Sequence, residues 1–453
     1  MTTYEAIAAV IGEERVTDNE TILEQHGKDE SGHEGVLPEI VAFVKTKEEV
    51  RKILVYANAK GIPVTPFGAG SSLEGHIIPV KRGISLDFSL MNDIIEVYPE
   101  DFLVKVQPGV TRKQLNKKLK KYGLFFPVDP GADATLGGMA ATNASGTTSV
   151  KYGIMRDNVR NLEVVLADGR IIQTGGMARK SSSGLALNGL FVGSEGTLGC
   201  FTELTIQVYG IPEYIASARA SFEGVEDAIN AANSFLSAGI PIARCEFVDA
   251  ETVRQVNQYN GTSYPEYPML MLEFHGNEPG VKQDISFMKE IAVEFNCKEI
   301  FFETNSKKVA ELWEVRHLMS YAYIHSYPKK KFMSTDVCVP LSSLSEAVTY
   351  AREALDETGI VGGVFGHVGD GNFHTLMMVD FQNEEEYAKA KAYNQKLVNE
   401  ALKCGGTCTG EHGVGIGKRQ YQQEEHGTAY SVMTELKRMF DPNNILNPGK
   451  IYE

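Results

Sequence analysis

The chain has 453 residues and a formal charge of −15, with 43% hydrophobic and 23% charged residues. That length asks for two or more domains rather than one core, and the composition is that of a globular protein. The acidity argues against nucleic acid as a partner, since phosphate binding needs Lys and Arg gathered on one face, and no apolar run reaches the ~20 residues that span a bilayer. The opening Met1-Thr2-Thr3-Tyr4-Glu5 lacks the basic start and apolar stretch of a signal peptide, so a cytoplasmic address is expected. The cysteines at 200, 245, 297, 338, 404 and 408 make no Cys-x-x-Cys pair, which predicts reduced thiols and no iron–sulfur cluster.

Residues 40–65 read as strand, helix, strand. Ile40 to Val44 is apolar and β-branched, Thr46-x-x-Glu49 is a capping-box pattern, and Gly61 stops the helix before Pro63-Val64. Short strands follow at 84–88, 94–98 and 102–107. Thr111-x-x-Gln114 opens a helix that Gly123 ends, and the lysines at 117, 118, 120 and 121 read as its solvated face. Leu162 to Leu166, Asp168-Gly169 and Ile171-Ile172 form a hairpin signal. After Pro212, helices expected near 225–237, 279–295, 307–325, 343–358 and 384–403 alternate with strands near 269–274, 298–303, 335–339 and 364–379. That texture predicts a separate α+β unit. The last stretch, 405–453, returns to glycine-rich loops and a helix.

Three segments are dominated by small residues. Pro66-Phe67-Gly68-Ala69-Gly70-Ser71-Ser72-Leu73-Glu74-Gly75 follows a strand, and its backbone N–H groups can turn inward around a pyrophosphate without any lysine. It is not a dinucleotide-binding Gly-x-Gly-x-x-Gly, because Leu73 stands at the third glycine. Asp133 to Gly146 is too poor in bulky side chains to build a core and suits a flat, extended ligand. Gly193 to Gly199 precedes the strand Leu204-Thr205-Ile206. The stretches 131–153 and 193–199 are expected to be loops or tight turns. Together, the three segments point to a large dinucleotide.

The sharpest pattern is Gly366-His367-Val368-Gly369-Asp370-Gly371-Asn372-Phe373-His374. Five glycines between 362 and 371 exclude a stable helix, and Asp370-Gly371 predicts a two-residue hairpin turn pairing 367 with 374. The two imidazoles would then share one face at ~5 Å, the separation at which a pair chelates one divalent ion. Glu411-His412 lies in the glycine-rich run Thr409 to Gly415. Adjacent residues point different ways, so Glu411 is assigned as an oxygen ligand and His412 as a general base.

With these segments on the page, the chain resembles flavoproteins of the vanillyl-alcohol-oxidase/PCMH type. Within them it is similar to the D-lactate dehydrogenase/glycolate oxidase catalytic-subunit group, which includes D-2-hydroxyglutarate dehydrogenase. The resemblance covers nearly the whole chain. It rests on Pro66 to Gly75, Asp133 to Gly146, Glu195 to Gly199, Thr335 to Pro340, Gly366 to His374, Gly410 to Gly413 and Asn447 to Lys450.

It implies an α+β fold: an FAD-binding domain over 1–210, an α+β substrate cap domain over 211–405, and a C-terminal return over 406–453. Non-covalent FAD is expected against Pro66, Gly68, Ala69, Gly70, Ser71, Ser72, Thr135, Gly137, Gly138, Asn143, Ser145, Gly146, Glu195, Gly196, Ile206 and Asn447. The resemblance makes His367, His374 and Glu411 ligands of a divalent metal, zinc above all, and His412 the base. Arg316 is expected to anchor a substrate carboxylate, with Ser320, Lys331 and Asn372 as further contacts.

The implied reaction is oxidation of a small D-2-hydroxy acid, D-lactate or glycolate, to the 2-oxo acid by hydride transfer to flavin N5. D-2-hydroxyglutarate is the alternative substrate. An electron-transfer flavoprotein, a quinone or a cytochrome would accept the electrons, with a membrane surface reached through that redox partner as one setting, and a homodimer or a complex with redox subunits is open. Two other classes explain part of the pattern: a metallohydrolase on the same ligands, and a non-catalytic partner subunit keeping the flavin fold.

Overall fold

The computed structural model describes residues 1–452, which divide into two compact units. The first comprises 1–145, 153–211 and 411–453; the second comprises 146–152 and 212–410.

In the first unit, three parallel strands, Ile40–Phe43, Ile84–Asp87 and Val64–Phe67, lie side by side with Val16–Thr17 antiparallel at one edge. The helix Lys47–Lys60 forms for local reasons. The Thr46 hydroxyl accepts from the Glu49 N–H, and Gly61 closes the helix in the left-handed region at φ 64°. The Glu49 carboxylate does not complete the reciprocal box. It accepts instead from the Lys45 N–H at 2.7 Å and from Arg15. Val50, Ile53, Leu54 and Ala57 on one face of this helix are fully buried in the core over the sheet.

A second, antiparallel sheet runs in the order Ile94–Tyr98, Leu103–Val106, Cys200–Gln207, Val159–Val165, Ile171–Gln173. The expected hairpin is its edge, with Val165 opposite Ile171 and Gly169 at φ 86° in the turn. The helix Arg112–Leu119 is capped by Thr111 as the spacing predicts, and its lysines are exposed.

The stretch 131–153 departs from the loop expectation, because Leu136–Thr142 and Ser149–Tyr152 are helical. Two glycines in a seven-residue helix each cost about 1 kcal/mol relative to Ala. Packing supplies the reason: a Cβ on Gly137 would lie 2.5 Å from the Pro108 side chain. The C-terminal stretch returns to the first sheet. The Val64 N–H donates to Ile445 O at 2.7 Å, the Asn447 N–H donates to Val64 O at 2.8 Å, and Leu446 bridges Val64.

The second unit is built on an antiparallel sheet in the order Cys297–Glu303, Tyr214–Phe222, Met269–Gly276, Ile242–Val248, Gly362–Gly366, Asn372–Val379, Lys331–Ser334, with Val337–Cys338 also on Asn372–Val379. Helices Val225–Ser237, Glu278–Val293 and Leu341–Thr358 pack on it, as do Ala250–Asn260, Ser306–His317 and Met319–Ser326. The expected helices are present, with 307–325 split in two at Leu318. The strands Tyr214–Phe222, Ile242–Val248 and Lys331–Ser334 are additions to the sequence reading.

Candidate active site

In the first unit the carboxyl ends of the three parallel strands, at Phe43, Phe67 and Asp87, open onto a cavity of about 570 Å³ that the Gly68-Ala69-Gly70 backbone also lines. Crevices at such strand ends are where open α/β sheets take ligands. Among the described residues, the N–H groups of Gly68, Ala69, Gly70 and Ser71 have no acceptor in the protein. Four consecutive donors of this kind suit an anion. The Ser72 hydroxyl and the Gly75 N–H are already committed to Asp29, at 2.7 and 2.8 Å.

The other small-residue segments meet this loop. A Cβ on Gly68 would sit 2.5 Å from Thr135 Oγ1, and one on Gly196 would sit 2.9 Å from Pro66. Thr135 caps the helix that carries Gly137 and Gly138, and Asn143 ends it at φ 53°. Ile206 is buried in the antiparallel sheet, paired with Val104 and Val159. Gly146 belongs to the second unit, where its N–H donates to Ser149 Oγ.

Glu195 organises the segment it leads. Its carboxylate accepts from the Val414 and Gly415 N–H groups at 2.7 and 2.9 Å and lies 3.2 Å from His76 Nε2. Burial pushes the Glu195 carboxyl up, but the His76 charge and these donors leave it below the ordinary carboxylate range. Asn447 Nδ2 donates to the carbonyls of His76 and Glu195. Glu411 accepts from Ser145 Oγ at 2.8 Å, so His412 stands between two anchored points on its own loop.

In the second unit the two-histidine pattern is a hairpin, but not the one expected. Phe365 pairs with His374, and residues 367–371 form a longer loop with a 3₁₀ turn at Val368–Asp370. A two-residue turn of the predicted type needs positive φ at both central residues. Only Gly371 has it, at φ 80°. His367 is therefore the first residue beyond its strand rather than a cross-strand neighbour of His374. The rings still face one another, with centroids 5.5 Å apart at 85° and a nitrogen of each within 4.8 Å of the other's. Both residues are over nine-tenths buried.

The Nδ1 edges of both rings are occupied. His367 Nδ1 is 2.6 Å from Glu246 Oε1, and His374 Nδ1 is 3.2 Å from Thr335 O with Asp336 Oδ1 at 3.5 Å. Donation from Nδ1 leaves each lone pair on Nε2, the arrangement that presents imidazole to a metal. The donor set thus fits a divalent ion.

Glu246 is a residue the sequence reading missed. It is fully buried on the strand Ile242–Val248, and its other oxygen accepts from Arg316 Nε and Nη2 at 3.1 and 2.7 Å. Burial raises its pKa, yet the facing His367 and Arg316 charges hold it well below the usual range. The only hint in the sequence is a charged residue inside the apolar run Cys245-Glu246-Phe247-Val248.

Arg316 also lies 5.0 Å from the centre of the Phe365 ring. Asn372 Nδ2 donates to Asp336 Oδ1 and Val337 O, and its buried Oδ1 has no partner among the described residues. Ser320 is half-buried on Met319–Ser326. Lys331 is exposed at a strand start, its Nζ 6.0 Å from the Phe381 ring centre.

A family model described as "FAD binding domain" matches residues 38–175, and one described as "FAD linked oxidases, C-terminal domain" matches 211–451. The chain is 43% identical over 449 residues to "Probable D-lactate dehydrogenase, mitochondrial" of Danio rerio, covering 98% of this chain and 90% of that protein. It is 32% identical over 453 residues to "Glycolate oxidase subunit GlcD" of Bacillus subtilis (strain 168), covering 99% and 96%. The solved structure of p-cresol methylhydroxylase with substrate bound superposes with a TM-score of 0.79 at 20% identity, over 99% of this chain and 96% of that one. That likeness shows the vanillyl-alcohol-oxidase/PCMH-type fold. No helix among the described residues is long and apolar enough to cross a membrane. The flavin-binding match at 38–175 takes in the first two small-residue segments, and the chain belongs to the FAD-linked oxidases, as an FAD-dependent oxidoreductase of the group that holds D-lactate dehydrogenases and glycolate oxidase subunits.

Proposed function

We propose that this protein oxidises D-lactate or glycolate to the corresponding 2-oxo acid at a site combining FAD with one divalent ion, zinc first among candidates. The observation that carries the reading is the buried, facing pair His367 and His374, each with Nδ1 engaged. Glu411 is the proposed third ligand. Non-covalent FAD would be held by the Gly68 to Ser71 amides and by the segments led by Thr135 and Glu195.

Bound FAD supplies a two-electron acceptor, and an ion on the two histidines supplies charge that lowers the pKa of the substrate hydroxyl. The chain does the rest. Arg316, steadied by Glu246 and Phe365, turns its remaining guanidinium edge to the substrate carboxylate. The partnerless Asn372 Oδ1 offers the substrate an acceptor, with Ser320 and Lys331 as further contacts. The His412 imidazole takes the hydroxyl proton as the α-hydrogen departs with its electron pair. Beyond the site, electrons pass to an electron-transfer flavoprotein, a quinone or a cytochrome. The cytoplasmic address belongs to the same reading, although the Danio rerio relative has "mitochondrial" in its name.

Anaerobic mixing with a panel of 2-hydroxy acids tests the reading by flavin bleaching at 450 nm. D-lactate or glycolate should bleach fastest, and L-lactate should not. Bleaching by D-2-hydroxyglutarate alone would move the substrate assignment to the dicarboxylate. No bleaching by any member would defeat the reading.

The flavin cradle has its own test. In Gly68→Ala the new methyl meets Thr135 Oγ1, a strain of about 1–3 kcal/mol. FAD affinity should fall roughly tenfold, read from the ratio of absorbance at 450 to 280 nm after dilution.

A further inference from the structure

We infer that Glu246 is a positioning residue shared by both arms of the site, setting the guanidinium that receives the substrate and the imidazole that receives the metal at once. The inference rests on the proposed function above and deepens it. Glu246 is fully buried, and its two oxygens are divided between two partners: Oε1 faces His367 Nδ1 at 2.6 Å, and Oε2 takes Arg316 Nε at 3.1 Å and Nη2 at 2.7 Å. Arg316 arrives from the helix Ser306–His317, and His367 follows the strand Gly362–Gly366. Phe365, two residues before His367, lies against the guanidinium, but among the described residues only Glu246 hydrogen-bonds both side chains. The carboxylate lies on the strand Ile242–Val248, which pairs directly with the strand before His367 through Phe247 and Gly366. It is thus mounted on the rigid sheet rather than on a loop.

Occupying Nε and one hydrogen of Nη2 leaves Nη1 without a protein partner among the described residues, so the fork presents one defined edge. The same carboxylate fixes the His367 tautomer, which places the lone pair on Nε2.

Glu246→Gln keeps the shape but has one acceptor for two sets of donors. Three readouts follow: zinc retained after equilibrium dialysis, KM and kcat with the acid that bleaches the flavin fastest, and melting temperature with flavin content. The expected result is zinc affinity lower by about 10–100-fold and KM higher by about 10–100-fold, with a smaller fall in kcat and near-normal flavin content. Glu246→Asp, one methylene shorter, should shift both quantities in the same direction by less, and it carries the test if the glutamine variant does not fold. Wild-type zinc affinity in a variant with raised KM, or the reverse, overturns the shared role and leaves the metal reading standing. A wild-type protein that takes up no zinc overturns the metal reading, and the shared role with it. That outcome is visible before any variant is made.

Discussion

Replacing His412 with alanine is expected to lower turnover by about 10²–10⁴-fold while the protein still purifies yellow. The size follows from its proposed role. No other imidazole of the site is assigned to proton transfer, because His367 and His374 are the proposed ligands of the ion. Flavin binding should persist. The anchors of this loop in its own unit, Glu411 on Ser145 and the Val414 and Gly415 amides on Glu195, do not involve the His412 side chain. KM should change little, since carboxylate recognition is assigned to Arg316. Rapid mixing under anaerobic conditions reads the reductive half-reaction directly. Flavin reduction within a few-fold of wild type would remove His412 from the role of base.

The second large effect is expected at His374. His374→Ala leaves one imidazole where there were two, and zinc affinity should fall by more than the 10–100-fold that follows loss of an outer partner. Activity should follow the metal. Chelation of the wild-type protein should abolish turnover, and added zinc should restore it, whereas the variant should regain little. Atomic emission on dialysed samples measures the first quantity, and steady-state rates measure the second. Equal zinc in variant and wild type, or turnover indifferent to a chelator, would sink the metal assignment. The variant should still fold. His374 lies on a strand paired on both sides, and its backbone bonds do not depend on the ring.

What the sequence made legible was local. The helix Lys47–Lys60 is written in Thr46, its apolar spacing and Gly61, all within sixteen residues of one another. The facing histidines were legible as a pair, but the turn joining them was misread. The Asp-Gly dipeptide favours a tight turn, whereas here Asp370 ends a 3₁₀ turn and only Gly371 is left-handed. The helix at 136–142 was invisible because Gly137 and Gly138 argue against it, and only contact with Pro108 explains the first of them.

The strand Tyr214–Phe222 was lost for a related reason. Ala-Ser-Ala-Arg-Ala-Ser has little β preference of its own, and it becomes strand through partners at 269–276 and 297–303. Glu246 could not be assigned a role at all, since its partners lie 70 and 121 positions along the chain. Side chains that act on substrate advertise themselves by type and spacing. Those that hold them in place do so through tertiary contacts.

The C-terminal return sets an order of events during synthesis. Ile445 and Asn447 bracket Val64, Asn447 grips the His76 and Glu195 carbonyls, and the Lys450 ammonium donates to Ile78 O at 2.6 Å. Each of these grips is on chain made hundreds of residues earlier. Residues 212–410 are made before 445–450, so their sheet can form before these grips exist, whereas the loops at 64, 76–78 and 195 cannot be held until 445–450 follow. A cofactor cradle built on those loops is completed only once residues 445–450 have been made.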